Sequence, residues 1–236
     1  IRKHDDFSID RQDIARRFGY LERKDPKGEL TQEHKDLTAS LQHALEESLV
    51  NLACEAYGLS RIQKFCLAGG VALNCNTNSK ILEQDFCEEI FIQPAASDGG
   101  IAMGAALEAA SMVEKEPVQF RMETAYWGPA FMNQEIESLL KESKLVYEFH
   151  ENIEETTAKL LAEGNIVGWF QGRMELGPRA LCNRSILADP TVKGMNDKIN
   201  FFVKHREPWR PFAPVVTEED GAKYFDHYAI SPFMLL

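Results

Sequence analysis

The sequence predicts an α/β fold in two partial domains, and two observations carry that expectation. Twice, a short run of β-forming residues feeds a glycine turn that opens into a helical pattern. The first instance is residues 62–67, Gly69-Gly70 and residues 72–82; the second is residues 90–92, residues 94–100 and residues 101–112. The composition, 44% hydrophobic and 27% charged over 236 residues, is that of a globular chain with enough apolar matter for a core. The length suits one or two domains.

The elements follow in order. Residues 1–30 are polar, with a short helix expected over 10–19. Residues 31–57 carry Leu37, Leu41, Ala44, Leu45, Leu49, Leu52 and Ala53 at three- and four-residue spacing, which predicts a helix with one apolar stripe. Gly58 stands where its stop is expected. The segment 101–112, rich in Ala, Met and Leu, predicts a buried helix with Gly104 at a close-packing point. Residues 114–129 hold Pro117, Gly128 and Pro129 and read as a linker. Beyond it the pattern predicts a helix over 134–141, a strand over 145–149, a helix over 153–163 and a strand over 166–170. Trp169, Phe170, Trp209 and Phe212 read as core aromatics.

Charge narrows the function. The chain carries 26 Lys and Arg against 37 Asp and Glu, a formal charge of −11, which argues against a chain-wide nucleic-acid grip. No run reaches the ~18 apolar residues of a membrane span. Five cysteines (Cys54, Cys66, Cys75, Cys87, Cys182) without zinc spacing read as reduced, buried thiols of a cytoplasmic protein. The chain starts on Ile1 and ends in the apolar run 230–236, so both ends read as cut edges of a longer protein.

Three motifs carry chemistry. In Leu67-Ala-Gly-Gly-Val-Ala-Leu-Asn74 a strand feeds Gly69-Gly70 and then a helix, so backbone N–H groups are positioned to meet an oxyanion. Gln93-Pro-Ala-Ala-Ser-Asp-Gly-Gly100 repeats that logic, with Asp98 ahead of Gly99-Gly100. Asp98 reads either as a metal-binding carboxylate or as a helix cap. Both turns are expected on one sheet edge, their N–H groups facing a shared cleft.

The third motif is the most specific. Residues 168–190 set Arg173, Arg179 and Arg184 at five- to six-residue spacing among Gly, Pro, Asn and Ser. Residues 173–210 carry a charge of +4 in a chain that is otherwise −15. That island points to one anion site at which guanidinium forks meet phosphate or carboxylate oxygens, with Lys198 or Arg206 joining them. The segment 196–214 adds Lys204, Arg210 and fixed-φ prolines. No two histidines sit at i, i+4, and neither a serine-nucleophile elbow nor a Walker loop is present. Ser185 has no evident base beside it.

Together, residues 67–74, 93–107, 168–190 and 196–216 resemble the O-carbamoyltransferases of nodulation and antibiotic tailoring. Members of that family are much longer. The resemblance implies that residues 1–117 are the C-terminal lobe of an actin-like ATPase-fold domain, akin to the tRNA threonylcarbamoyl transferase core. It makes 118–139 a linker and 140–236 the start of a threonylcarbamoyl-adenylate-synthase-like (YrdC-like) α/β domain.

The implied reaction makes carbamoyl-adenylate from carbamoyl phosphate and ATP, then transfers the carbamoyl group to a hydroxyl of a small acceptor. By this resemblance Arg173, Arg179, Asn183, Arg184 and Ser185 are catalytic, and Lys198, Arg206 and Arg210 bind carbamoyl phosphate or ATP. Gly69, Gly70, Asn74, Gly99 and Gly100 bind nucleotide in the first domain. Asp98 matches a metal ligand whose histidine partners lie upstream of this chain. The cofactors implied are ATP, Mg2+ with it, and a divalent metal, Fe2+, in the first domain; a homodimer is the implied assembly. Cys182 departs from the resemblance, standing where the family commonly has Gly. Two rivals remain, an actin-like-fold kinase and an RNA-binding module. The arginine loop argues against the first and the acidic charge against the second.

Overall fold

The computed structural model describes residues 2–3, 6–7, 11–19, 28–226 and 228–236. They divide into two compact units, residues 1–51 and residues 52–236. In the first unit β1 (Arg2–Lys3) pairs antiparallel with β2 (Asp6–Phe7), and α1 (Arg11–Phe18) follows. Asp13 in its first turn pairs with Arg16 and Arg17, and those guanidinium groups hold its carboxyl below the usual aspartate range. The expected helix over 10–19 is this element.

α2 (Gln32–Ser60) runs past the predicted stop. Gly58 lies within it, and the chain turns instead at Arg61, whose φ of 58° is the left-handed conformation a helix end uses. The Arg61 N–H donates to Tyr57 O at 2.8 Å. The periodicity of the stripe gave the helix, but Ala53 is its one buried residue among those described, and Leu41 and Leu52 are exposed.

The second unit is built around a parallel pair. β3 (Lys64–Leu67) and β4 (Glu89–Ile92) align in register from Lys64↔Glu89 to Leu67↔Ile92. Parallel neighbours need a crossover, and the sequence supplies it as a 3₁₀ turn, Gly70–Leu73, followed by α3 (Cys75–Leu82). After β4 a second 3₁₀ turn, Asp98–Gly100, leads into α4 (Ile101–Glu114). Both glycine turns therefore leave the same, C-terminal edge of one sheet, as the sequence predicted.

Two expectations fail. α4 has the predicted span but not the predicted burial: none of its residues is buried, Ile101, Met112 and Val113 are exposed, and open space surrounds Gly104. Residues 145–149 form no strand, and Val146 is fully exposed. Within α4, Met103 is half-buried against the core cluster while Ile101, Met112 and Val113 stay exposed, and residues 145–149 meet Leu140 and Glu137 through Leu145 N–H and Tyr147 OH rather than pairing as a strand.

Residues 118–132 have no helix or strand, yet Met122 and Ala125 are buried. α5 (Asn133–Glu142) and α6 (Ile153–Ala162) match their predicted positions, and Asn152 caps α6 by accepting from Glu155 N–H. β5 (Val167–Phe170) pairs antiparallel with β6 (Arg184–Leu187), a strand the sequence reading had given to the anion loop. α7 (Met195–Lys198) passes into a π-helical turn, Ile199–Val203, and α8 (Glu218–Tyr224) follows. The five cysteines are free thiols; Cys87 is buried, but Cys54 and Cys66 are exposed.

The core joins distant segments. Ala72, Ile92, Ala96, Met122, Ala125, Phe233 and Leu235 pack as one cluster. Asn78, 1% exposed, ties it together by donating through Nδ2 to Ala72 O and Leu235 O, each at 2.8 Å. Asn78→Ala leaves two covered carbonyls without that donor, at about 1–3 kcal/mol for each unmet group. Thermal melts are expected to show a midpoint lower by roughly 5–10 °C; an unchanged midpoint would remove Asn78 from this role.

Candidate functional site

Gly69 sits at φ 96°, a conformation that suits glycine, and its N–H donates to Ala96 O at 2.7 Å. The two glycine turns are thereby stitched to each other. The Gly100 N–H donates to Ser97 O. These two donors close the turns, rather than facing a shared cleft as the sequence suggested. Asn74 caps α3, its Oδ1 accepting from Thr77 N–H at 3.2 Å. Asp98 is exposed and begins the second 3₁₀ turn; the cap position is Ser97 and no side-chain cap bond forms there. Gly70 and Gly99 border open space.

The arginine motif is the loop between β5 and β6, and its organiser is a residue that sequence reasoning passed over. Glu175 is buried, 7% exposed. Its Oε1 accepts three main-chain N–H groups: Leu181 at 2.9 Å, Asn183 at 2.8 Å and Arg184 at 3.0 Å. Burial pushes this carboxyl up. The N–H donors of Leu181, Glu175 itself, Asn183 and Arg184 outweigh burial and hold it below the ordinary glutamate value. A lone acid between Met174 and Leu176, inside a run of arginines, was the available signal.

Asn183 extends the frame. Its Nδ2 donates to Arg173 O at 2.7 Å, and its Oδ1 accepts from Gln171 Nε2 at 3.1 Å. Cys182 lies at φ 75°, so the position where the resemblance implies glycine is left-handed here, and Cys occupies it at the cost of local strain. Ser185 Oγ accepts from Cys182 N–H at 3.0 Å, a structural use of that hydroxyl. Burial pushes the Cys182 thiol up, with Glu175 adding to it.

The three arginines end on main-chain carbonyls of different segments. Arg173 Nη2 donates to Trp127 O at 3.1 Å. Arg179 Nη2 donates to Leu73 O at 3.1 Å. Arg184 donates to Gln171 O, Asn183 O and Gly172 O, and stacks over the Phe170 ring at 3.5 Å. Among the described residues none of the three forms an ion pair. Their charges are therefore not neutralised by carboxylates, and a neutral carbonyl partner is readily exchanged for an anionic one.

The loop is seated on the glycine turns. Gly177, at φ 99°, lies so close to the second turn that a Cβ there would be 2.4 Å from Pro94 O. Arg179 reaches the first turn at Leu73. On the other side Leu176 N–H donates to Ala125 O at 2.6 Å, Gly128 N–H to Met174 O at 2.9 Å and Met174 N–H to Pro129 O at 3.0 Å. Tyr126 OH donates to Leu181 O at 2.8 Å.

The second basic group is engaged within its own segment. Arg206 Nε donates to Asn200 Oδ1 at 2.6 Å and lies over the Phe212 ring. Arg210 pairs with Glu207 at 2.8 Å beside Trp209, and Lys198, exposed, ends α7. Phe170, Phe212 and Trp209 are exposed, and serve as platforms for guanidinium groups in place of the core role expected of them. A cavity of about 760 Å³ lies between α3 and residues 213–236; Ala213, Pro214, Val215 and Val216, the end of the 196–216 segment, line it, but none of the residues given a catalytic, binding or metal role does.

Among the described residues no group of three or more His, Cys, Asp or Glu could hold a metal ion. Asp98 alone does not make a metal site, and no step is drawn through one. A phosphate group fits better, because Arg179 Nε is buried without a partner.

Comparison with known proteins places these features. A family model described as Carbamoyltransferase N-terminus matches residues 1–107, and one described as Carbamoyltransferase C-terminus matches residues 158–236. An uncharacterized protein of Synechocystis sp. is 43% identical over 225 residues, 91% of this chain and 36% of the relative. Nodulation protein NolO of Bradyrhizobium diazoefficiens is 43% identical over 199 residues, 83% of this chain and 36% of the relative. The 3'-hydroxymethylcephem-O-carbamoyltransferase of Amycolatopsis lactamdurans is 35% identical over 170 residues, 72% of this chain and 31% of the relative. The chain thus spans about a third of the length of the curated relatives it matches.

Two outcomes test the Glu175 frame. Glu175→Ala strands three main-chain donors and is expected to cost roughly 3 kcal/mol or more in denaturant melts. For pH, the folded carboxyl lies below its ordinary value of 4.5, so its stabilisation is complete above that value and falls away as the pH drops below it. Glu175→Gln should flatten that acid limb; an acid limb of unchanged steepness in melts from pH 7 to 3 would count against the assignment.

Proposed function

The chain belongs to the carbamoyltransferase family, and from that premise we propose that the full-length protein uses ATP and carbamoyl phosphate to form carbamoyl-adenylate: water releases phosphate from carbamoyl phosphate to leave carbamate, and a carbamate oxygen bonds to the α-phosphorus of ATP as the bond to pyrophosphate breaks. The carbamoyl group of the adenylate then passes to a hydroxyl of a small acceptor. In the transfer the acceptor oxygen bonds to the carbamoyl carbon as the bond from that carbon to the phosphate oxygen breaks. AMP leaves with the electron pair. The relative named for a 3'-hydroxymethylcephem supports an alcohol oxygen as the acceptor atom.

One observation carries the reading within this chain. Arg173 and Arg179 in the loop and Arg184 at the start of β6, none with an acidic partner among the described residues, are braced by Glu175 and seated on two glycine turns at the C-terminal edge of a parallel strand pair. That edge is where open α/β sheets bind ligands. Arg173 and Arg179 are the anion donors, exchanging Trp127 O and Leu73 O for phosphate oxygens and stabilising the charge that grows on the departing pyrophosphate. Arg184, held by three carbonyls, together with Asn183 and Ser185, shapes the loop behind them. Gly69, Gly70, Asn74, Gly99 and Gly100 form the turns that border the adenylate. Lys198, Arg206 and Arg210 make a second basic surface for carbamoyl phosphate or ATP. Mg2+ with ATP neutralises phosphate charge, and Asp98 contributes to a metal site only with ligands from outside these residues.

The test is pyrophosphate release by the full-length protein given ATP and carbamoyl phosphate, with carbamoylated product read by mass spectrometry. Arg179→Ala is expected to lower release by roughly 10²–10³. Its stability cost should stay near 1 kcal/mol, the worth of one bond to a carbonyl. Release at the wild-type rate from a folded Arg179→Ala protein would remove the arginine from the reaction. Carbamoylation by the supplied adenylate should survive the substitution.

A further inference from the structure

Among the described residues, the buried side-chain nitrogen and oxygen atoms that lack a hydrogen-bond partner are Nε2 and Oε1 of Gln93 and Nε of Arg179. All three belong to the segments that meet at the glycine turns. Gln93 follows β4 directly and opens the 94–100 turn. Arg179 hangs from Leu73 O, and Gly177, two residues before it, sits against Pro94.

Orphaned buried atoms of this kind are rare. The large majority of buried side-chain polar atoms find a partner, and each unmet group costs about 1–3 kcal/mol. A fully covered primary amide with neither end satisfied therefore marks a place kept for something else. Gly100 keeps a side chain away from it, since a Cβ there would stand 3.3 Å from Gln93 Oε1 and 2.3 Å from Ala95 O. Beside it Gly99 borders open space, and the Gly100 N–H to Ser97 O bond closes the turn.

The chemistry of the orphan selects its ligand. A primary amide presents two N–H donors on one side and one acceptor oxygen on the other. Its complement carries a carbonyl oxygen next to an NH₂. A phosphate or carboxylate sets an oxygen against Oε1 and is repelled. An acetyl group satisfies the donor but puts a methyl against the acceptor. A carbamoyl group satisfies both.

We propose that Gln93 is the specificity-determining residue for the carbamoyl group. Its Nε2–H donates to the carbamoyl oxygen, and its Oε1 accepts from the carbamoyl N–H. Arg179 Nε–H is the neighbouring donor for the adjoining phosphate. This inference rests on the carbamoyl-transfer reading above and assigns one discriminating contact within it.

The experiment measures binding of 5′-O-carbamoyladenosine and 5′-O-acetyladenosine to the full-length protein by calorimetry. The two probes differ only in NH₂ against CH₃. The wild type is expected to bind the carbamoyl probe roughly 10- to 100-fold more tightly, the discrimination a paired polar site supplies. Gln93→Met, close in shape but without polar atoms, should bring that ratio to about one, the carbamoyl probe losing two bonds and the acetyl probe one, and melt at the same or a higher temperature. A structural glutamine would instead leave the ratio unchanged while lowering both affinities and the melting midpoint together. Gln93→Glu, with acceptors only, should lose carbamoyl affinity as well, and is read if the Met protein does not fold. A wild type that binds the probes equally, or a folded variant that keeps the preference, overturns the role of Gln93. Pyrophosphate release from ATP and carbamoyl phosphate separates the cases: where it persists, Gln93 alone fails, and where it is absent, the carbamoyl-transfer reading fails too.

Discussion

A carboxylate oxygen with three main-chain N–H groups around it is the constraint on which the arginine loop depends. Between β5 and β6 the chain runs through Gly172, Gly177 and Pro178 and has few repetitive bonds of its own. Backbone donors in such a loop need partners once they are covered. Glu175 Oε1 gathers the N–H groups of Leu181, Asn183 and Arg184 and thereby fixes where β6 begins. With β6 in place, Arg184 lies across from Phe170, close enough to stack on its ring. Asn183 then reaches back to Arg173 O, so the start and end of the loop are held by one connected set of bonds.

The same frame explains how a positively charged loop is kept without ion pairs to its arginines among the described residues. Glu175 is the loop's acid, yet it faces the backbone and forms no ion pair with the guanidinium groups among the described residues. Arg173 and Arg179 are oriented by neutral carbonyls, which hold direction without cancelling charge. Ion pairing of the kind seen at Arg210 and Glu207 would compete with an incoming anion. The glycine turns add position. Gly177 has no side chain where Pro94 presses closest, and that absence lets the loop rest on the parallel strand pair.

Much of the scaffold was legible in the sequence because local pattern and tertiary role agree there. α1, α2, α3, α5, α6 and the strands β3, β4 and β5 follow periodicity and glycine punctuation. The misses share a cause: burial and strand pairing are relations between segments. Residues 145–149 have strand composition but no strand beside them among the described residues, and α4 has core composition but a largely exposed face. At the site, charge and spacing pointed to the arginines, while Glu175 counted only as a charge. Its burial against backbone donors is a property of the closed loop, invisible to counting. Likewise Arg184 was expected as an anion ligand, and the resemblance implied catalytic roles for Asn183 and Ser185, while their hydrogen bonds in the structure serve the loop itself.

The bond from Asn78 to Leu235 spans 157 residues, and that separation bears on how the molecule is made. Translation at ≈ 5–20 residues per second puts roughly 8–30 s between the synthesis of the two. Through that interval Phe233 and Leu235 are missing from the cluster formed with Ala72, Ile92 and Ala96. The strand pair and α3 emerge first with an unfilled apolar face and an Asn78 amide whose second acceptor does not yet exist. Closure of this core therefore waits for residues 233–235, and its timing is set by synthesis rather than by local folding speed.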